Sequence, residues 1–160
     1  LMTELYVVTT VCTGNICRSP LAQVLLQKYL ALAGVDNVDV QSAGVGAPVG
    51  QEATAAMQTV AESLGVDLSA HRSQPLELPL LHSTDLVLCA AAAHQRAVAT
   101  RWPHMTERRL ALFQDAVPGA EGHDVADPYG LGPGDYELAG ALIDRAMEGW
   151  AARIVELLAR

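Results

Sequence analysis

The sequence predicts an α/β fold: one domain in which a four-stranded parallel sheet carries helices on both faces. Three observations predict it. Short apolar, β-branched runs alternate with helical patterns along the chain. No linker, repeat or composition shift divides the 160 residues, so the domain is expected to span 1–160. The first strand leads through a short glycine-bearing loop straight into the first helix, as in parallel β-α-β units.

The elements follow in order. Leu5 to Val11 reads as a buried strand. Ser19-Pro20 opens a helix, serine being a good N-cap and proline favoured at the first helical position. Leu21, Val24, Leu25, Lys28, Tyr29 and Leu32 recur at helical spacing until Gly34 ends it. Val38 to Gln41 is a second strand, followed by a glycine-rich loop from Ser42 to Gly50. Ala53 to Leu64 is a helix stopped at Gly65. Thr84 to Cys89 is a third strand, which makes Cys89 a core residue, and Ala90 to Thr100 an alanine-rich helix. Arg109 to Phe113 is the fourth strand, and a loop rich in Gly, Pro and Asp runs from Gln114 to Gly134. The last helix carries the apolar stripe Leu138, Leu142, Ala146, Met147, Trp150, Ile154 and Leu158. Folds of this kind bind ligands beyond the carboxyl ends of their strands, and the segment from Cys12 to Arg18 sits at such an end.

Composition narrows the function classes. A net charge of −8 with no basic run argues against nucleic-acid binding. The apolar stretches fall short of the roughly 20 residues a membrane-spanning helix needs, so no membrane partner is expected. Three cysteines without a secretion signal fit free thiols and a cytoplasmic location. Leu1, ahead of Met2, is given no role.

The informative segment is Val11-Cys12-Thr13-Gly14-Asn15-Ile16-Cys17-Arg18-Ser19-Pro20. A loop of this length between strand and helix can curl into a cup whose backbone N–H groups face a tetrahedral anion. Gly14 is expected to supply the unusual backbone angles, and Arg18 to close the cup with two parallel hydrogen bonds to phosphate oxygens. The helix dipole and Arg18 together favour a thiolate at Cys12, a ready nucleophile toward phosphorus, and Ser19 is placed to donate a hydrogen bond to it. The bland reading of Cys12, a small apolar residue at a strand end, does not account for the glycine, the arginine and the Ser-Pro around it. Cys12 and Cys17 lack the second ligand pair a zinc site needs and are not a Cys-x-x-Cys redox pair. Without Gly-Lys-Ser/Thr the loop is no nucleotide P-loop. The chemistry calls for no cofactor and no metal. It does call for an acid to protonate the leaving oxygen, and Asp127-Pro128-Tyr129 in the late loop offers one, although Asp-Pro by itself is an ordinary turn.

The run from Cys12 to Pro20, with Ser42-Ala43-Gly44 downstream and Asp127-Pro128-Tyr129 late, resembles the low-molecular-weight protein tyrosine phosphatases over nearly the whole chain. The resemblance implies a phosphatase I-like fold and hydrolysis of protein phosphotyrosine through a phosphocysteine on Cys12. Inorganic phosphate and other oxyanions are then ligands. It implies that Thr13, Gly14, Asn15, Ile16, Cys17, Arg18 and Ser19 surround the phosphate, with Arg18 as clamp and Asp127 as general acid, later base. It also implies that Ser42 and His71 hydrogen-bond with Asn15 behind the loop, holding it in a strained conformation; on its residues alone His71 reads as a surface histidine. Tyr129 becomes a pocket wall, and Cys17 a partner for reversible disulfide formation with an oxidised Cys12.

Three departures from the family pattern stand out. Ala47 and Pro48 replace a usual aromatic residue, Gly130 replaces a frequent second tyrosine, and Ala90 to Ala93 replaces a common Met-Asp. The first two thin the aromatic wall and put tyrosine selectivity in question. An arsenate reductase of the same fold using an external thiol is one alternative. A phosphoarginine phosphatase is another, against which Ile16 counts: the resemblance implies threonine at that position for that specificity.

Overall fold

Each strand alternates its side chains between two helix-covered layers, and that alternation organises the protein. The computed structural model describes residues 4–105 and 109–160; Leu1 and Met2 lie outside them. Strand β1 (Tyr6–Cys12) lies at the centre between β2 (Val38–Gly44) and β3 (Leu86–Cys89), with β4 (Leu110–Leu112) beyond β3. All three pairings are parallel. Val8 of β1, Val40 of β2 and Leu88 of β3 face the larger core, packed under helices α1 (Arg18–Leu32), α2 (Ala55–Ser63) and α5 (Pro133–Leu158). Their neighbours Val11, Ala43, Val87 and Cys89 face the smaller one, under α3 (Leu78–His82) and α4 (Ala92–Arg101). A two-residue side-chain period on strands buried on both faces produces this division.

With few aromatic residues, the larger core is built from Leu21, Leu25, Leu26, Met57, Ile143, Met147 and Ile154 around one phenylalanine, Phe113, all fully buried or nearly so. Trp150 packs beside them and donates Nε1–H to Phe113 O at 2.9 Å, which satisfies the indole. Among the described residues no helix is long and apolar enough to cross a membrane.

Several expectations change. Helix α1 begins at Arg18 with Cys17 as N-cap, so Ser19 lies inside the first turn instead of capping it. Its hydroxyl is engaged by Cys12 and Asn15, described below. Strand β2 runs three residues past Gln41, because pairing with β1 continues to Cys12 opposite Gly44, and Ser42 is therefore a strand residue. Helix α2 starts at Ala55 because Thr54 caps it, accepting a hydrogen bond from Met57 N. The short α3 lacked a periodic signature. Strand β3 starts at Leu86 and α4 at Ala92, while β4 stops at Leu112 as the chain turns into a 3-10 segment, Phe113–Ala116. Helix α5 begins at Pro133, inside the expected loop. Leu32 is 73% and Leu138 61% exposed, so neither belongs to its helix's buried stripe. Gly34, as expected, adopts positive φ just past α1.

Candidate active site

The carboxyl end of β1 delivers Cys12 to the amino end of α1, and the intervening loop folds back over the sulfur. Helix α1 has no side-chain cap, so its first N–H groups stay available to whatever sits in the loop. One of them, Ser19 N–H, donates to Cys12 Sγ at 3.4 Å. Ser19 Oγ is 2.9 Å from the same sulfur. Asn15 Nδ2 donates to Ser19 Oγ at 2.8 Å, and the serine's own hydrogen has two acceptors in reach, the sulfur at 2.9 Å and Ala43 O at 3.4 Å. The backbone N–H of Ser19 and, at the shorter distance, its hydroxyl thus both face Cys12 Sγ.

The loop's strain falls on Asn15, not on Gly14. Asn15 is the one non-glycine residue with positive φ among those described (φ 55), and it is fully buried. Asn15 tolerates this region better than most residues, and every polar group of its side chain is occupied. Besides Ser19, its Nδ2 donates to Ser42 Oγ at 3.0 Å, and its Oδ1 accepts from Gln74 N–H at 2.9 Å. His71 Nε2–H donates to the Asn15 carbonyl at 2.7 Å. His71 is half-buried rather than on the surface, and burial keeps its pKa below the ordinary value. Ser42 is held in turn by Gln23 Oε1, and Gln74 Nε2 donates to Ser42 O. Gln23 and Gln74 were not anticipated from sequence.

Arg18 is 5% exposed. Its Nη1 donates to Val125 O at 2.8 Å, its Nη2 lies 3.7 Å from Asp127 Oδ2, and its buried Nε has no protein partner among the described residues. Val125 N–H donates to Ala90 O just past β3, so the arginine and the late loop are anchored to the sheet together. Such a backing leaves the Nε edge of the guanidinium to bind a planar pair of oxyanion atoms. Asp127 is half-exposed, and its Oδ1 accepts from Tyr129 N–H at 3.1 Å, which orients the carboxylate ahead of Pro128.

These groups line a cavity of about 260 Å³ bounded by Cys12, Thr13, Gly14, Ile16, Cys17, Arg18, Asp127 and Tyr129. Ala47, Pro48 and Gly130 are not in its wall, and Tyr129 is its one aromatic residue. A larger open cavity of about 360 Å³ lies behind the loop, against Ser42 and His71, but holds none of the nucleophile, the clamp or the acid. Cys17 is buried, its thiol 3.5 Å from Thr54 Oγ1 and 3.7 Å from Tyr136 Oη; burial, the largest influence, raises its pKa. Cys89 is fully buried, its pKa driven up by burial. All three cysteines are free thiols. One further residue had no sequence signal beyond a histidine in an alanine-rich helix: His94 of α4, 4% exposed, whose Nε2 lies 2.9 Å from Thr13 Oγ1.

Comparison with known proteins gives a consistent result. The chain is 38% identical over 147 residues to a probable low molecular weight protein-tyrosine-phosphatase, EpsP, of Ralstonia solanacearum, covering 92% of this chain and 94% of that one. The structure of Wzb from Vibrio vulnificus in complex with benzylphosphonate superimposes with a TM-score of 0.82 at 32% identity, covering 94% and 99% of the two chains. The YwlE arginine phosphatase from Geobacillus stearothermophilus superimposes with a TM-score of 0.85 at 30% identity, covering 97% of each. The family model for low molecular weight phosphotyrosine protein phosphatase matches residues 7–159, and the chain belongs to that family.

Proposed function

We propose that the protein hydrolyses phosphotyrosine in protein substrates, with Cys12 as nucleophile, Arg18 as clamp and Asp127 as acid and base. One observation carries the reading: a buried guanidinium, backed by Val125 O and with its Nε unpaired among the described residues, shares a pocket with a sulfur that faces the N–H and hydroxyl of Ser19 and with a half-exposed carboxylate.

In the first step Cys12 Sγ attacks phosphorus, the bond to the tyrosine oxygen breaks, and Asp127 gives that oxygen its proton. The loop N–H groups, the amino end of α1 and Arg18 stabilise the equatorial oxygens as charge shifts among them. In the second step Asp127, now a carboxylate, takes a proton from water. That water attacks the phosphocysteine, releasing inorganic phosphate and restoring the thiolate. Ser19 stabilises the sulfur as leaving group. Ile16 and Tyr129 supply the apolar surface for a phenyl ring.

Phosphoarginine is a second reading, favoured by the close likeness to an arginine phosphatase, while the apolar Ile16 side chain offers no hydrogen bond to a guanidinium. A panel of phosphotyrosine, phosphoserine and phosphoarginine peptides, with arsenate and a small thiol as a further arm, separates the readings. Cys12→Ser is expected to abolish turnover and still bind inorganic phosphate, because Arg18 and the loop N–H groups remain. Wild-type-like hydrolysis by that variant refutes the mechanism.

A further inference from the structure

His94 is buried where a leucine would pack without desolvating a polar ring. Among the described residues it and Arg18 are the two basic side chains that are buried. Part of its placement is explained by α4 itself: the ring's Nδ1 accepts from Ala91 N–H at 3.1 Å, satisfying a donor at the helix start. Capping uses one nitrogen only. The other reaches out of the helix to Thr13, 81 positions away in sequence and adjacent to Cys12. Because Nδ1 accepts, the proton of the neutral ring sits on Nε2, so Thr13 Oγ1 must be the acceptor. The Thr13 hydroxyl hydrogen then finds no acceptor among the described residues, and Thr13 is an exposed residue of the pocket wall.

We propose that His94 is a positioning residue of the phosphate loop: its Nε2–H holds Thr13 in one rotamer and commits the Thr13 hydroxyl to donate to an oxygen in the pocket. The proposal rests on the loop being the phosphate site. Three charged groups face the ring. Burial and Arg18 push its pKa down to about 4, against the opposite pull of Asp124 and Asp127. The neutral donor therefore persists through the range in which the enzyme would work.

The experiment is a double-mutant cycle between positions 13 and 94, read as kcat/KM on an aryl phosphate and as inhibition by inorganic phosphate. His94→Leu is expected to lower kcat/KM about tenfold, the worth of one well-placed hydrogen bond. Thr13→Val should match that loss and weaken phosphate inhibition. His94→Leu combined with Thr13→Val should be no worse than Thr13→Val alone, and His94→Gln, which keeps a donor at similar reach, should recover most of the activity. Multiplying losses in the double variant, or a His94→Gln enzyme as impaired as His94→Leu, overturns the proposal. Should His94→Leu fail to fold, imidazole nitrogen resonances decide. The wild-type ring should be the Nε2–H tautomer at pH 7, with its Nε2–H perturbed in Thr13→Val; the opposite tautomer, or no change, overturns the proposal. Failure of the phosphatase reading would look different, since the wild type itself would then not turn over.

Discussion

Lowering the pH should destabilise this protein through one identifiable ring. A histidine has an ordinary pKa of about 6.5 in the unfolded chain, while burial and Arg18 hold His94 near about 4 in the folded one. Between those values the unfolded state takes up a proton that the native state refuses, so stability falls as pH falls. The contribution is essentially intact above about pH 7, is lost progressively down to about pH 4, and levels off below, where both states are protonated. With about 1.4 kcal/mol per pH unit, the loss reaches about 2 kcal/mol at pH 5 and about 3 kcal/mol at pH 4. The assay is urea unfolding followed by circular dichroism at pH 7.5, 6, 5 and 4, on wild type and His94→Gln. The other titrating groups, including His71 with its own lowered pKa, are common to both proteins and cancel in the difference. The stability advantage of wild type over the variant should therefore shrink by about 3 kcal/mol across the series. A difference that does not change with pH, or that changes only below pH 4, would refute the assignment of a buried neutral ring.

Four further outcomes are expected. Gly44→Ala should abolish or severely reduce activity and destabilise the protein by about 1–3 kcal/mol or more, because an added Cβ would overlap Thr13 O and stand 2.7 Å from Ala47 Cβ and 3.0 Å from Asn15 N; a wild-type-like enzyme in melting and steady-state assays would contradict the close approach. Asp127→Asn should slow esters with poor leaving groups by about 10²–10⁴-fold and spare those with very acidic ones, so an equal loss for both in a leaving-group series would assign Asp127 a structural role. Peroxide should inactivate the enzyme at Cys12, and recovery with reductant should be impaired in Cys17→Ser if Cys17 traps the sulfenic acid as a disulfide; identical recovery of both proteins excludes that role. Tyr129→Ala should raise KM for aryl phosphates by about 2- to 13-fold, the loss of one stacking contact, with little change for alkyl phosphates, and an equal change in both would deny Tyr129 a part in recognising the ring.

What local pattern alone makes legible is whatever is contiguous. The apolar runs of β1 and β3 and the succession of residues from Cys12 to Arg18 are local patterns, visible without the rest of the fold. Residues that act across the fold leave no such local trace: Ser42, His71 and Asp127 were legible only through the family resemblance, and His94, Gln23 and Gln74 not at all. His94 lies on a different layer from the loop it contacts, and nothing in its helix distinguishes it from a surface histidine. Gln74 holds Asn15 through its backbone N–H, and Val125 holds Arg18 through its carbonyl, main-chain groups that give a residue type no signature. Ser19 departs from the N-cap position for another reason: Ser-Pro favours a cap locally, but the helix starts at Arg18 and the hydroxyl is engaged by Cys12 and Asn15 of the loop. The positive φ likewise sits on Asn15 because Ser42, His71 and Gln74 converge on it, while Gly14 would have been the choice from intrinsic freedom alone.

The dependence of Asn15 on those remote residues limits how portable the loop is. Many anion-binding turns are self-contained, and the peptide between a strand and a helix suffices to form them. Here the bend is held by donors and acceptors from the end of β2 and from the segment around His71 and Gln74, which arrive only when the sheet has assembled. A peptide covering β1, the loop and α1 should not prefer the cup shape. A designer moving the loop to another scaffold would have to transplant Ser42, His71 and the backbone at Gln74 along with it.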